Sequence, residues 1–436
     1  MKKKVRLVLY CREHLTYGIN KTDIYEKYIN KEYFELFLLY SGKKENWEKI
    51  NENHYLVPKD KIVEFLKTFH IDLFYSFGSP YLDDIVPDIT KVCPFFNCVN
   101  FTPLYLPNPQ VENMIISKTD YLKIEALQGK KLKNARVAYN PLDFEGWQEA
   151  AKEKENFKEL FKGKNIDFIV GRLARAEPTK WHFLMLATLF IMDRKKEYNC
   201  GFLFAGMPKN YLLAIKILLS KRMKENIVCI EQLSGKKAIS KFYNTIDLFW
   251  QASVIGESFG NVIAESFCFK IPVMTDYKNF FRKDGSVNPK RYNAQMELVD
   301  AGKNGYYANY PSSVRRIFAS MNKNELRQKG LEGYNKTKTT YDIKLTCKTI
   351  EKRIMEKLFE TKNIKNIPAY YEKLPYHPNE KEMKDLQKEY FRKLAFAESQ
   401  NKVSFFEKCS FRCFEQVWYK VDFIYLSIRY LLKKMQ

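Results

Sequence analysis

The sequence predicts two consecutive doubly wound α/β domains followed by a helical tail, and three observations carry that expectation. Short apolar runs alternate with longer helical patterns along most of the chain, as βαβ units around a parallel sheet require. The alternation comes in two sets of similar size, and 436 residues are too many for one compact core. Beyond the second set, Pro368, Pro375 and Pro378 interrupt the chain before a separate helical stretch runs to Gln436.

In the first set the apolar runs expected as strands are 5–10, 34–39, 72–77, 92–99, 113–117 and 135–139. In the second they are 167–170, 201–205, 227–230, 248–251, 271–275 and 305–308. Between the sets, over 144–164, Glu and Lys crowd together without a strand pattern, which places a boundary there. The expected division is therefore 1–155, 156–345 and 346–436. The last part is expected to be a crossover helix and a helical tail, and the long amphipathic helix is read over 342–359.

Hydrophobic residues make up 45% and charged residues 29%, which fits a water-soluble fold. The net charge of +23 favours anionic partners such as phosphorylated substrates, an acidic membrane surface or nucleic acid. Nine scattered cysteines form no Cys-x-x-Cys pairs, so neither a disulfide framework nor a structural zinc site is expected. Cys409 and Cys413, one helical turn apart, read as packing residues. The run from Val5 to Tyr10 is too short for a signal peptide, and no segment has the roughly 18 apolar residues of a membrane span. The expected location is cytoplasmic. No Asp-x-Asp, G-x-x-x-x-G-K-[ST] or G-x-G-x-x-G occurs, and no metal site is expected.

The stretch Gly256-Glu-Ser-Phe-Gly-Asn-Val-Ile-Ala-Glu-Ser-Phe-Cys-Phe-Lys-Ile-Pro-Val273 carries the chemistry. A glycine-rich turn at a helix start exposes backbone N–H groups, and the helix dipole adds partial positive charge. That combination suits a diphosphate or a row of sugar hydroxyls. Glu257 precedes the helix and Glu265 lies inside it, so both can reach one ligand from different heights. The competing reading is a loop-to-helix junction with a solvated carboxylate.

This stretch resembles the Glu-x7-Glu signature of the retaining glycosyltransferases of family 4, within the GT-B fold. The family's E-G-F-G, E-A and G-x-P-V elements appear as Glu257-Ser-Phe-Gly260, Glu265-Ser266 and Lys270-Ile-Pro-Val273. Phe168-Ile-Val-Gly-Arg-Leu173 with Lys180-Trp181 resembles the family's G-R-L strand and downstream lysine. Phe202–Met207, Ile227–Leu233, Ile246–Ser253, Glu297–Val299 and Asn304–Tyr306 match further blocks in the family's order. The resemblance covers 167–317 well and the first half weakly. There, Tyr17-Gly-Ile-Asn20 takes the place of the family's Gly loop, and Ala138–Asp143 resembles the segment that ends the first domain. The region Cys98–Pro103 lacks the histidine many relatives carry, so Asn100 or Thr102 would stand in its place.

The resemblance implies two Rossmann-like domains facing a cleft, the first on the acceptor side and the second holding a nucleotide-diphosphate sugar. It makes Arg172, Lys180 and Glu257 the catalytic residues. Gly18, Gly171, Phe259, Gly260, Asn261 and Glu265 become the donor-binding set. Arg172 and Lys180 would hold the diphosphate, Glu257 would orient sugar hydroxyls, and Glu265 would accept from the ribose. The nucleotide sugar is substrate, and no separate cofactor is implied. Transfer would retain configuration, need no metal, and use a glycan or lipid-linked acceptor in polysaccharide or glycolipid synthesis. A nucleotide-sugar epimerase or hydrolase of the same fold is the nearest rival. A basic nucleic-acid-binding protein is the rival of another class, and it leaves both glutamates without a role.

In the tail, Phe414, Val417, Trp418, Val421, Ile424, Tyr425, Ile428, Leu431 and Leu432 share a helical face flanked by Lys420, Arg429, Lys433 and Lys434. Two readings follow. The face packs on protein, or 411–436 lies on an anionic membrane at its inner surface.

Overall fold

The computed structural model describes residues 4–12, 21–77 and 81–434, with side chains in the last helix described as far as Lys420. The chain divides into two compact units, each assembled from three separate stretches. The first comprises Met1–Phe144, Phe280–Pro289 and Lys338–Lys388, and the second Glu145–Asn279, Lys290–Thr337 and Glu389–Gln436.

The first unit is built on an eight-stranded sheet. Its strands are β1 (Val5–Cys11), β2 (Phe34–Ser41), β3 (Glu48–Lys49), β4 (His54–Val57), β5 (Leu73–Ser76), β6 (Phe95–Val99), β7 (Val111–Ile115) and β8 (Ala135–Val137). They lie in the order β3-β4-β2-β1-β5-β6-β7-β8, and every pairing is parallel except β3 with β4. Helices cover both faces of such a sheet, so its central strands are apolar runs rather than alternating ones. Val8, Tyr10, Phe37, Leu39, Phe65, Phe74 and Phe95 form the core on one side. The antiparallel edge strand is two exposed charged residues, which discourages edge-to-edge pairing.

The expected strand over 92–99 begins late, at Phe95, because a helix runs Val86–Val92 and Pro94, which has no N–H to donate, precedes the ladder. The pair β3–β4 lies outside the expected strands, since β3 is two charged residues and β4 only four, of which Tyr55 and Val57 are buried. The helix Ile343–Glu360, one residue from the expected span, is bound into this first unit. Arg353 on that helix donates to both oxygens of Glu112 on β7, at 2.8 and 2.9 Å.

The second unit is built on six parallel strands. These are β9 (Phe168–Leu173), β10 (Cys200–Ala205), β11 (Ile227–Ile230), β12 (Leu248–Gln251), β13 (Val273–Thr275) and β14 (Gly305–Tyr307). The spatial order β11-β10-β9-β12-β13-β14 is the doubly wound arrangement that starts at the centre and grows outward both ways. Ligands in such sheets bind beyond the carboxyl ends of the strands where the direction reverses, here between β9 and β12. Phe202, Phe204, Trp250, Leu184, Leu189 and Phe318 pack one core of this unit.

The helical stretch after Pro378 comprises the helices Glu380–Met383, Leu386–Gln400 and Phe405–Lys434, the last carrying the face read from sequence. Phe411 stacks on Phe183, and Trp418 stacks on Phe183 and meets Tyr211 edge-on. The face read from sequence is therefore split. Trp418 docks on the second unit, while Phe414 and Val417 are 64% and 53% exposed. Cys409 and Cys413 are exposed too, so they are not packing residues, because the docked stripe runs through Phe411, Glu415 and Trp418 instead. No helix among the described residues is long and apolar enough to cross a membrane.

Candidate functional site

Arg172 and Gln251 stand at the carboxyl ends of β9 and β12, the adjacent strands where the sheet reverses direction. A polar residue ending an apolar strand is costly unless it is hydrogen-bonded, and these two bond to each other. Arg172 Nη1 donates to Gln251 Oε1, and Gln251 Nε2 donates to Glu257 Oε1 at 2.6 Å. Glu257 Oε2 takes Lys180 Nζ at 2.9 Å, and the Lys180 carbonyl accepts from Arg172 Nη2 at 2.6 Å. The four residues close a ring, which brings together all three side chains expected to be catalytic.

Their exposures divide the labour. Arg172 is fully buried, with its guanidinium 5.6 Å from the Trp181 ring and 6.0 Å from Phe249. Both Nη atoms donate to protein oxygens, including the carbonyls of Leu173 and Ala252. Burial pulls its pKa down to about 10, with Glu257 and Asp276 opposing, so it stays charged near neutrality. The side chains of Glu257 and Lys180 keep 11% and 21% of their surface open to solvent. Arg172 thus braces the ring from below, and Lys180 and Glu257 are the members a ligand can touch.

The turn bearing Glu257 is held by residues far along the chain. Gly256 has φ +80°, and a Cβ there would lie 1.9 Å from the Tyr292 carbonyl oxygen, so no other residue fits without moving that backbone. Gln295 Oε1 accepts from the Glu257 N–H at 3.0 Å, and Tyr292 and Ala294 donate to the carbonyls of Ile255 and Glu257. Gly260 then starts the helix Asn261–Cys268 at φ +97°, with Phe259 buried behind it and Asn261 exposed at its first turn. The Ile263 and Ala264 N–H groups close the first turn on the Gly260 carbonyl at 2.9 and 3.3 Å, and the positive end of the helix dipole lies at this turn.

Glu265 lies on the same helix but outside the ring. Tyr243 donates its hydroxyl to Glu265 Oε2 at 3.2 Å. Burial pushes the Glu265 carboxyl up to about 7, against the Tyr243 hydrogen bond and the Lys236 charge. Gly171 sits within β9, where a Cβ would meet Ile246 at 2.5 Å and Phe242 of the helix Lys236–Tyr243 at 2.8 Å, so its bareness lets both side chains pack on the sheet. Gly18 lies outside the described residues. At the carboxyl ends of β10 and β11 a cavity of about 520 Å³ is lined by Pro178, Gly206, Lys209, Glu231 and Gln232. Among the described residues no group of three His, Cys, Asp or Glu side chains is placed to hold a metal ion.

Residue-by-residue reading missed Gln251 and Gln295, which hold Glu257 on two sides. It also missed His182, whose Nδ1 caps the helix Phe183–Arg194 by accepting from Leu184 N–H at 3.0 Å. The one available signal was Gln251 itself, a polar residue closing the run Leu-Phe-Trp-Gln.

Residues 151–282, which hold Arg172, Lys180, Glu257 and Glu265, match the family model described as glycosyl transferases group 1. No curated protein sequence matches the chain. Among solved structures, a glycosyltransferase from Rickettsia africae superposes with a TM-score of 0.59 at 14% identity, covering 81% of this chain and 99% of that one. Anabaena HepE in complex with UDP gives 0.59 at 13% identity over 81% and 100% of the two chains. Trehalose 6-phosphate synthase from Burkholderia multivorans gives 0.61 at 9% identity over 84% and 99%. The chain has the GT-B fold, and the part of it that carries the ring is similar to the group 1 glycosyl transferases.

Proposed function

We propose that the protein is a retaining glycosyltransferase that moves a sugar from a nucleoside-diphosphate sugar, with UDP as the nucleotide, to a glycan or lipid-linked acceptor. The observation that carries this reading is the ring of Arg172, Gln251, Glu257 and Lys180 at the reversal point of the second sheet. The choice of UDP follows similar structures solved with UDP and UDP-glucose.

As the bond from the anomeric carbon to the diphosphate oxygen breaks, negative charge grows on the leaving group. Lys180 and the positive end of the helix Asn261–Cys268 meet that charge, and preorganised charge of this kind speeds reactions most. Glu257 holds Lys180 in place and accepts from sugar hydroxyls with its remaining lone pairs. The acceptor hydroxyl bonds to the anomeric carbon on the face the diphosphate leaves and passes its proton to the departing phosphate oxygen. The test is incubation with UDP-sugars and a panel of polyprenyl-linked and free glycans, followed by NMR of the new linkage. Retention is expected, with activity unchanged by EDTA. An inverted anomer, or transfer that EDTA abolishes and Mn²⁺ restores, would overturn it.

Glu265 is assigned to the ribose. Its carboxyl titrates near 7, so the charged form that accepts best from ribose hydroxyls is gained as pH rises through 7. Uridine, which has no phosphate to titrate, is expected to bind several-fold more tightly at pH 8 than at pH 6, roughly the effect of one improved hydrogen bond. Glu265→Gln should flatten that dependence in calorimetric titration.

Membrane contact is assigned to the outward side of the tail helix. Phe406, Phe414 and Val417 are exposed there, with exposed Lys408, Arg412 and Lys420 beside them. Such a stripe enters the headgroup boundary while basic residues meet anionic lipid. Changing all three apolar residues to Glu should cut flotation with anionic vesicles by on the order of tenfold. Equal recovery would remove the tail from this role.

A further inference from the structure

The residue after Lys180 and the one after that are held by the tail helix, more than two hundred positions away in sequence. His182 accepts from Leu184 N–H at Nδ1, so neutral His182 carries its proton on Nε2, which lies 3.1 Å from Glu415 Oε1. His182 is 5% exposed, and burial lowers its pKa with Lys278 adding to the effect, while Glu415 and Asp276 oppose. Glu415 in turn is held charged by His182, Lys278 and Arg291.

A second link runs through aromatic rings. Trp418 stacks on Phe183 at 5.6 Å and meets Tyr211 edge-on at 5.2 Å. The Tyr211 hydroxyl donates to the Trp181 carbonyl at 2.6 Å, and the Trp181 indole donates to the Arg175 carbonyl at 3.0 Å. Arg172 fixes the Lys180 carbonyl from the other side. The tripeptide Lys180-Trp181-His182 therefore hangs between β9 and the tail helix. Its three-residue 3-10 turn, Pro178–Lys180, has no side-chain cap of its own.

We propose that Glu415 and Trp418 of the C-terminal helix are positioning residues of the donor site, which set Lys180 for the donor's diphosphate by clamping Trp181 and His182. The proposal rests on the reading that Lys180 meets that diphosphate. An ammonium on a flexible stem gains from a fixed backbone, since misplacement of a charged donor by about 1 Å forfeits much of its effect.

The test uses the full chain and compares UDP with uridine by calorimetry, because only UDP calls on Lys180. Glu415→Leu should weaken UDP binding on the order of tenfold, as expected when a charge-assisted contact is lost, and leave uridine binding unchanged. Glu415→Gln, whose amide oxygen still accepts from His182 Nε2, should stay within about threefold of the native protein on the same scale. Hydrogen exchange at the Leu184 amide should quicken in Glu415→Leu and not in Glu415→Gln. If Glu415→Leu does not fold, Glu415→Asp keeps the charge, loses the reach, and should show the same selective loss for UDP. Unchanged UDP affinity, or equal losses for UDP and uridine, would overturn the proposal. A native chain that binds UDP no better than uridine would overturn the assignment of Lys180 to the diphosphate, and the clamp with it.

Discussion

Glu257→Ala is expected to slow sugar transfer by on the order of 10²–10³-fold while changing uridine affinity little. The carboxylate is the hinge of the ring, since one oxygen takes Gln251 and the other takes Lys180. Removing it takes the partner from the buried Gln251 N–H, and the partly buried Lys180 ammonium loses the contact that fixes its Nζ. The loss should fall on kcat, because the nucleoside is assigned to Glu265. Glu257→Gln keeps a hydrogen-bonding group of the same shape but no charge, so it should fall between the two. Steady-state kinetics with a UDP-sugar would decide this, beside a melting curve confirming that the variant is folded. A large rise in KM with kcat intact would place Glu257 in ground-state binding instead.

Arg172→Ala is expected to harm the fold as well as the reaction. The side chain is fully buried and supplies donors to Gln251 and to the carbonyls of Leu173, Lys180 and Ala252. Its loss leaves those oxygens unsatisfied around a cavity, and breaking a buried charged network of this kind costs about 3–5 kcal/mol. Arg172→Lys should recover little, because a single ammonium cannot span oxygens that a planar fork reaches together. Urea unfolding followed by tryptophan fluorescence would report the stability change, since Trp181 lies against the guanidinium. Stability within about 1 kcal/mol of the native protein would mean water fills the gap, and the brace would then be dispensable.

Sequence exposed the members of the ring that are chemically unusual for their surroundings. Glu257 announces itself within a few residues by following a glycine at a helix start, whereas Arg172 is marked only by the resemblance of Phe168–Leu173 to the family's G-R-L strand. Gln251 and Gln295 are neutral, and their importance comes only from what the fold sets opposite them. Nor could sequence reveal that the Arg172 fork turns inward. The carbonyls it meets, at Lys180 and Ala252, are free only because the loops after β9 and β12 leave them unpaired in secondary structure. The tail shows the same limit. Its helical period was plain, but an amphipathic helix with two apolar stripes does not say which one docks, and here Phe411 and Trp418 do so while Phe414 and Val417 face out.

The pairing of Glu112 with Arg353 has a consequence for the order of events during synthesis. Glu112 is 1% exposed on β7, and the cation that neutralises it arrives 241 residues later. At about 5–20 residues per second, the ribosome leaves that carboxylate waiting for roughly 12–48 s. A lone charge cannot be sealed into a finished sheet in that interval, so β7 should stay wet and its unit open until the helix Ile343–Glu360 emerges. The first unit to be translated would then be among the last to close. A nascent chain stalled before Arg353 should accordingly be cut by protease within the first unit, and one stalled some forty residues beyond it should resist.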